Sequence, residues 1–256
     1  MVIEVAFSRL DPACRSASGQ AVAAIDIIRA TTTITMALHH GCAGVIPVRT
    51  LSEARAVVER LGRGTLLAGE RGAERVTGFD LGNSPTEYGQ ERVKGKTIVL
   101  TTTNGTRTFQ AVSGARAIIA CSFLNVSAAA RWLKGTGLNI LIVCAGRHGR
   151  FCLEDVVGSG MLIDRVLDIA DRPIECSDAA RAARQLFLPY RDDLLGMLQG
   201  CEWGRAISQK GFGADLEICG QVDFTDVVPV MQDGYLIAKR PRDAVDYDRS
   251  QPVIYS

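Results

Sequence analysis

The stretch from Ala21 to Thr35 restricts the fold more than any other. Five consecutive apolar residues, Ala21-Val22-Ala23-Ala24-Ile25, stop at the carboxylate of Asp26. A guanidinium follows at Arg29, and the hydroxyls of Thr31, Thr32 and Thr33 open the next segment. The apolar run reads as a buried strand, and the residues after the turn, 31–40, read as a helix. A strand that delivers Asp26, Arg29 and a threonine-rich helix start to one sheet edge makes an anion and metal site. Its carboxylate suits a hard cation, its arginine can fork onto phosphate oxygens, and its first-turn amides point at negative charge. The alternative at this stretch is local: Asp26 caps the helix, Thr31 or Thr32 satisfies its free amides, and Arg29 is a surface residue.

The pattern repeats along the chain. Residues 2–7, 43–48, 65–68, 96–101, 115–120 and 138–143 read as strands, and 52–61, 108–112 and 125–134 as helices. A long helix runs from Phe151 toward Ile169, with Gly158 and Gly160 allowing close packing. Strands alternating with helices predict a mainly parallel sheet covered by helices on its faces. Beyond Asp171, residues 177–188, 192–198 and 202–209 read as helices. Residues 227–230 and 235–238 then close as a strand pair around Asp233-Gly234. No linker composition divides the chain, so it reads as one α/β domain over 1–256, with a helical subregion at 172–212.

Composition removes several function classes. The 29 Lys+Arg nearly cancel the 28 Asp+Glu, so no global field draws the protein to nucleic acid or to acidic membranes. No basic-then-apolar leader and no bilayer-length apolar run occurs, which predicts a soluble, cytoplasmic protein. The 8 cysteines form no CxxC pair, so structural zinc and a disulfide framework are not expected. No GxxxxGK[ST] is present. The nearest approach to GxGxxG, Cys144-Ala145-Gly146-Arg147-His148-Gly149, has a cysteine where the tight turn needs glycine. His39, His40 and His148 offer no nucleophile–base pairing; the first two read as helix-end residues.

Four predicted strand ends carry polar turns: Asp26/Arg29/Thr31–Thr33, Glu70/Arg71, the run Thr101 to Asn104, and Gly146 through Glu154-Asp155. In an open α/β sheet, ligands gather outside the carboxyl ends of the strands. These turns therefore share one edge, and the glycine-rich loop Gly78-Phe79-Asp80-Leu81-Gly82-Asn83-Ser84-Pro85 can fold over it. The chemistry is uniform: carboxylates for a metal, arginines and amides for oxyanions, small hydroxyls. Glu154 and Asp155 diverge by about 100° on a helix, so one of them need face the cleft. Acids in a first helical turn also stabilise its positive end without any catalytic part.

Together these motifs resemble the 2-phosphosulfolactate phosphatase family. The residues that carry the resemblance are 26–33, Gly69-Glu70-Arg71-Gly72, 78–85, Thr102-Thr103-Asn104-Gly105-Thr106, and Cys144-Ala145-Gly146 with Glu154-Asp155. A sparser set follows at Gly213, Asp215, Leu216, Cys219, Asp223 and Val228-Pro229. The resemblance implies a three-layer α/β/α fold with a largely parallel or mixed sheet, and a homodimer. It also implies Mg²⁺-dependent hydrolysis of the phosphate monoester of a 2-hydroxy acid, releasing 3-sulfolactate. Asp26, Arg29, Glu154 and Asp155 are then catalytic, with Mg²⁺ on Asp26 and the 154–155 pair. Thr31, Thr32, Glu70, Arg71, Asn83, Ser84, Thr103, Asn104 and Gly105 contact substrate, and Arg107 adds positive charge. Two other readings use the same residues: a non-catalytic binder of small phosphorylated or sulfonated acids, and a phosphatase for other 2-phospho-hydroxy acids.

Overall fold

The structure is a computed structural model that describes residues 1–244 of the chain. The first half contains strands β1 (Val2–Ala6), β2 (Ala21–Ile25), β3 (Gly44–Pro47), β4 (Thr65–Arg71), β5 (Glu74–Arg75) and β6 (Thr97–Thr101). Between them lie helices α1 (Ala30–His39), α2 (Leu51–Leu61) and α3 (Gln90–Val93), and α4 (Gly105–Ala111) follows β6. The chain continues through β7 (Ala117–Cys121), α5 (Val126–Thr136), β8 (Ile140–Cys144), α6 (Leu153–Asp168) and β9 (Glu175–Cys176). Four helices come next: α7 (Asp178–Phe187), α8 (Leu194–Gly200), α9 (Glu202–Gln209) and α10 (Gly213–Cys219). The hairpin β10 (Val228–Gln232) and β11 (Tyr235–Lys239) completes the sheet.

Local chemistry explains the boundaries. Thr50 Oγ1 accepts the Glu53 N–H to start α2, and Gly62 at φ 71° ends it. Ser177 caps α7 in the same way, and Gly137 closes α5 in the left-handed region. The short elements β5, α3 and β9 lie outside the sequence reading, and three further departures bear on the site. β4 runs on to Arg71, so Glu70 and Arg71 belong to the strand itself. α4 starts at Gly105 rather than residue 108, because Thr102 Oγ1 and Thr106 Oγ1 cap each other's amides. α10 is a helix in a region read only as scattered signature residues.

The fold is α/β with a mixed, mostly parallel sheet of 11 strands among the described residues, ordered β5-β4-β6-β3-β11-β10-β7-β2-β8-β1-β9. β4, β6 and β3 are parallel to one another, and so are β7, β2, β8, β1 and β9. The hairpin sits between these halves and pairs antiparallel on each side, through Leu236–Val45 and Val230–Ile119. The central strands are buried throughout, as near-continuous apolar runs require.

Helices α1 and α4 pack against strands of both halves. Ile34, Leu38, Phe109 and Val112 share one apolar cluster with Val22, Leu141, Ile98 and Leu100. A second cluster lies under α5 to α7 and includes Trp132, Val157 and Phe187; a third, under α2, contains Phe79 and Val99. Because both halves close on α1 and α4, the turns after β2, β4, β6 and β8 reach one another. No helix among the described residues is long and apolar enough to cross a membrane.

Gly160 sets how closely α6 and α7 approach. A Cβ there would overlap the Ala183 carbonyl oxygen and lie 2.7 Å from Phe187 Cβ. Gly160→Ala is expected to destabilise the protein by about 1–3 kcal/mol through overpacking. The check is urea unfolding, read as a lower midpoint at unchanged slope.

Candidate active site

Asp26 follows β2 and lies on the floor of a pocket of about 120 Å³, shared with Ile28, Arg29, Glu70, Gly72, Asn83, Thr102, Thr103, Asn104, Arg147, His148 and Trp203. Its Oδ1 accepts the Ala30 N–H (3.1 Å), and its main-chain oxygen accepts the Thr31 N–H (3.0 Å). Asp26 therefore caps α1, which has no other side-chain cap. Oδ2 lies against Gly105: a Cβ on that residue would come within 2.5 Å of it, so only glycine lets α4 start here. Burial pushes the Asp26 carboxyl up to about 7. The Ala30 amide opposes the shift, the charges of Glu70 and Glu154 add to it, and Arg29 opposes it.

Arg29 is buried and committed. Nη1 meets Asp215 Oδ2 at 2.6 Å, Nη2 donates to the Ala73 carbonyl at 2.7 Å, and the guanidinium covers the Phe212 ring at 4.5 Å. The other Asp215 oxygen accepts from Ser84 Oγ at 2.5 Å. One ion pair thus ties the turn after β2 to α10 and to the glycine-rich loop.

The remaining acids divide by how their oxygens are used. Glu70 accepts the Thr103 N–H (2.7 Å) on Oε1 and the Ala73 N–H (2.9 Å) on Oε2, bridging the ends of β4 and β6. Asp155 accepts the Ile27 N–H on one oxygen and the Gly146 N–H on the other, both at 3.0 Å, bracing β2 against β8. Glu154 instead lines a larger adjoining cavity of about 620 Å³ with Arg147, Arg150, Phe151 and Trp203, and the Cys152 and Cys201 thiols hydrogen-bond to it. Burial raises the carboxyls of both Glu154 and Asp155. Of the adjacent acids, Glu154 faces the cleft and Asp155 faces the framework.

The threonine hydroxyls are directed inward. Thr31, Thr32 and Thr33 donate to the carbonyls of Asp26, Ile27 and Asn83 at 2.8, 2.8 and 2.9 Å. Arg71 folds along its own sheet edge, onto the Glu70 and Thr101 carbonyls and Thr101 Oγ1. Arg107 lies away from the Asp26 pocket, in a separate cavity. Asn83 and Thr103 line the Asp26 pocket, and Asn83 Oδ1 and Thr103 Oγ1 are buried with no hydrogen-bond partner. Asn104 Oδ1 accepts the His148 N–H at 3.3 Å.

The sequence reading did not place Arg147 and Trp203 at the site. The Arg147 guanidinium stacks on Trp203 at 4.3 Å, and Trp203 Nε1 donates to the Ile28 carbonyl at 3.0 Å. The signal available was a tryptophan in the amphipathic run 202–209. His39 and His40 bond to Thr225 Oγ1 and the Tyr88 carbonyl, outside the pocket. All 8 cysteines are free, and burial pushes the Cys14 thiol to about 11 and Cys42 to about 12.

Among the described residues no three His, Cys, Asp or Glu side chains converge to hold a metal by themselves. The donor set nevertheless suits a hard divalent cation, which takes one or two carboxylates and completes its shell with water and substrate oxygens. Asp26 and Glu154 supply acids destabilised by burial, and Asn83 Oδ1 and Thr103 Oγ1 supply neutral oxygens with no partner.

An α/β fold with acids, amides and a small polar pocket at its strand ends defines an enzyme of small anionic substrates. The family model for 2-phosphosulpholactate phosphatase matches residues 10–234, and the chain belongs to that family. It is 40% identical over 214 residues to a probable 2-phosphosulfolactate phosphatase of Caldanaerobacter subterraneus subsp. tengcongensis, covering 83% of this chain and 88% of the relative. Identity to the protein of the same description from Thermotoga petrophila is 39% over 239 residues, 93% of this chain and 99% of the relative. For Clostridium acetobutylicum it is 35% over 237 residues, 93% and 100% respectively.

Removing the acid of the buried ion pair leaves a buried guanidinium uncompensated. Asp215→Ala is expected to cost about 3–5 kcal/mol, whereas Lys210→Ala, which breaks the exposed pair with Glu74, costs under about 1 kcal/mol. Chemical denaturation of the two variants checks the contrast.

Proposed function

We propose that this protein hydrolyses 2-phospho-3-sulfolactate to 3-sulfolactate and phosphate at the Asp26 pocket. The observation that carries the reading is the pairing, in one pocket, of the Asp26 carboxyl with two buried oxygens that no protein group satisfies. Family membership supplies the reaction class, phosphoric monoester hydrolysis.

In this reading the phosphoryl group enters between Asp26, Thr103 and Asn104. Thr103 Oγ1, lacking a protein partner, donates to a phosphoryl oxygen. Asn104 and His148, already joined, hold the opposite wall. Arg147, held over the Trp203 ring and against Glu202 (3.4 Å), offers its remaining N–H groups to the carboxylate or sulfonate. Asp26 and Glu154 would hold Mg²⁺, which when bound neutralises phosphoryl charge. Asp155, Glu70, Arg29, Ser84, Arg71, Thr31 and Thr32 then act as positioning residues: they fix the four strand ends within hydrogen-bond reach of the reacting groups, where small displacements are costly to rate. Gly105 leaves room for Asp26 Oδ2. A homodimer and a cytoplasmic setting belong to the same proposal, on the strength of the family resemblance, as does a single domain for the chain.

The test is phosphate release from 2-phosphosulfolactate and from 2-phospholactate, each with Mg²⁺ and with a chelator. Metal-dependent release favouring the sulfonated compound is expected. Equal release from both would keep the phosphatase and remove the sulfonate as the determinant. Ligand binding without release would leave a non-catalytic binder.

A further inference from the structure

A second cavity, of about 530 Å³, opens at the same sheet edge but shares no lining residue with the Asp26 pocket or its extension. Four arginines line it from three segments: Arg9 and Arg15 after β1, Arg49 after β3, and Arg107 on α4. Among the described residues none of these guanidiniums pairs with a carboxylate. Arg9 Nε is buried with no hydrogen-bond partner at all. Asp11 is the one acid among the lining residues, and its Oδ1 accepts the Ala13 N–H (2.9 Å); Glu53 Oε2, on α2, accepts the Arg49 N–H (2.9 Å). Leu10, which is 59% exposed, and Ala111 form an apolar border.

Like charges converging on a cavity repel one another, and an unpaired buried guanidinium N–H loses its hydration without replacement. Burial, and then the charge of Arg107, hold Arg9 below the usual arginine range. An anion spanning the cavity removes both penalties together. Arginine forks match phosphate oxygens two at a time, and four of them exceed what one phosphate can engage.

We propose that this cavity is a second anion site, separate from the Asp26 pocket, for a small polyanion bearing two or more phosphate groups. The phosphates bridge the half-buried Arg9 and the exposed Arg15, Arg49 and Arg107 around it. Free polyphosphate and nucleoside polyphosphate share this chemistry and differ in whether anything covers the Leu10–Ala111 border.

The experiment is calorimetric titration of the full chain, in chelator, with tripolyphosphate and separately with ATP. The variants are Arg15→Ala/Arg49→Ala, Arg49→Glu, and Arg60→Ala as a control on the exposed side of α2. Saturable wild-type binding is expected, weakened at least about tenfold in the double variant and in Arg49→Glu and unchanged in Arg60→Ala, as contact rather than general charge requires. Phosphate release without polyanion should be unchanged in the double variant, which separates this site from the Asp26 pocket. Equal affinity for the two probes assigns the site to phosphates alone, and tighter ATP binding adds the apolar border. Absence of saturable binding, binding untouched in the double variant, or equal weakening by Arg60→Ala would each overturn the proposal.

Discussion

The buried pair of Arg29 and Asp215 is the contact on which the rest of the site depends. Bringing two charges out of water is expensive, and the loss is recovered only with close geometry and full hydrogen bonding. The geometry is close and both carboxylate oxygens are used: the guanidinium has Asp215, the Ala73 carbonyl and the Phe212 ring, and the carboxylate has the Ser84 hydroxyl as well. The partners lie 186 residues apart, so the pair forms only after the sheet and the C-terminal helices have come together. Arg29 is then structural in its chemistry: its charge is balanced inside the protein and it orders the turn that presents Asp26.

Besides Asp215, four buried acids lie in or beside that turn, and the way each is balanced separates framework from chemistry. Glu70 and Asp155 each spend both oxygens on main-chain amides, and in doing so they tie β4 to β6 and β2 to β8. Asp26 has one amide on Oδ1 and leaves Oδ2 beside Gly105; Glu154 has a main-chain amide, its own, and two thiols, which are weak donors. Burial therefore raises the Asp26 and Glu154 carboxyls despite those hydrogen bonds, and the charge of Glu154 raises Asp26 further. Such acids gain most from a cation or a proton, which is what a reacting centre needs and a framework does not.

Much of this was legible in the chain. Residues 21–25 form β2 as read, Asp26 stands at its end, and the alternation of strands and helices gave the layered α/β architecture. The local and the catalytic readings of Asp26 prove compatible, because Oδ1 caps α1 while Oδ2 does not. What could not be read depends on distant pairing. Nothing near Arg29 announces Asp215, and α10 has too few residues for periodicity to show. The hairpin at Asp233-Gly234 was visible, but its place between the two parallel halves is decided by single long-range pairings at Val45 and Ile119. The orientation of the threonine hydroxyls, onto carbonyls instead of into the pocket, follows from α1 starting tightly against β2, which composition does not encode.

The central claim is that Asp26 is the acting carboxylate, and that framework acids and chemical acids are distinct sets. The most direct measurement is steady-state phosphate release by Asp26→Asn beside its circular dichroism and thermal unfolding. The account predicts turnover reduced at least about a thousandfold, in a protein whose unfolding midpoint is equal to or above that of the parent, since the amide oxygen still caps α1 and a poorly compensated buried acid is gone. Near-normal turnover in the folded variant would contradict it.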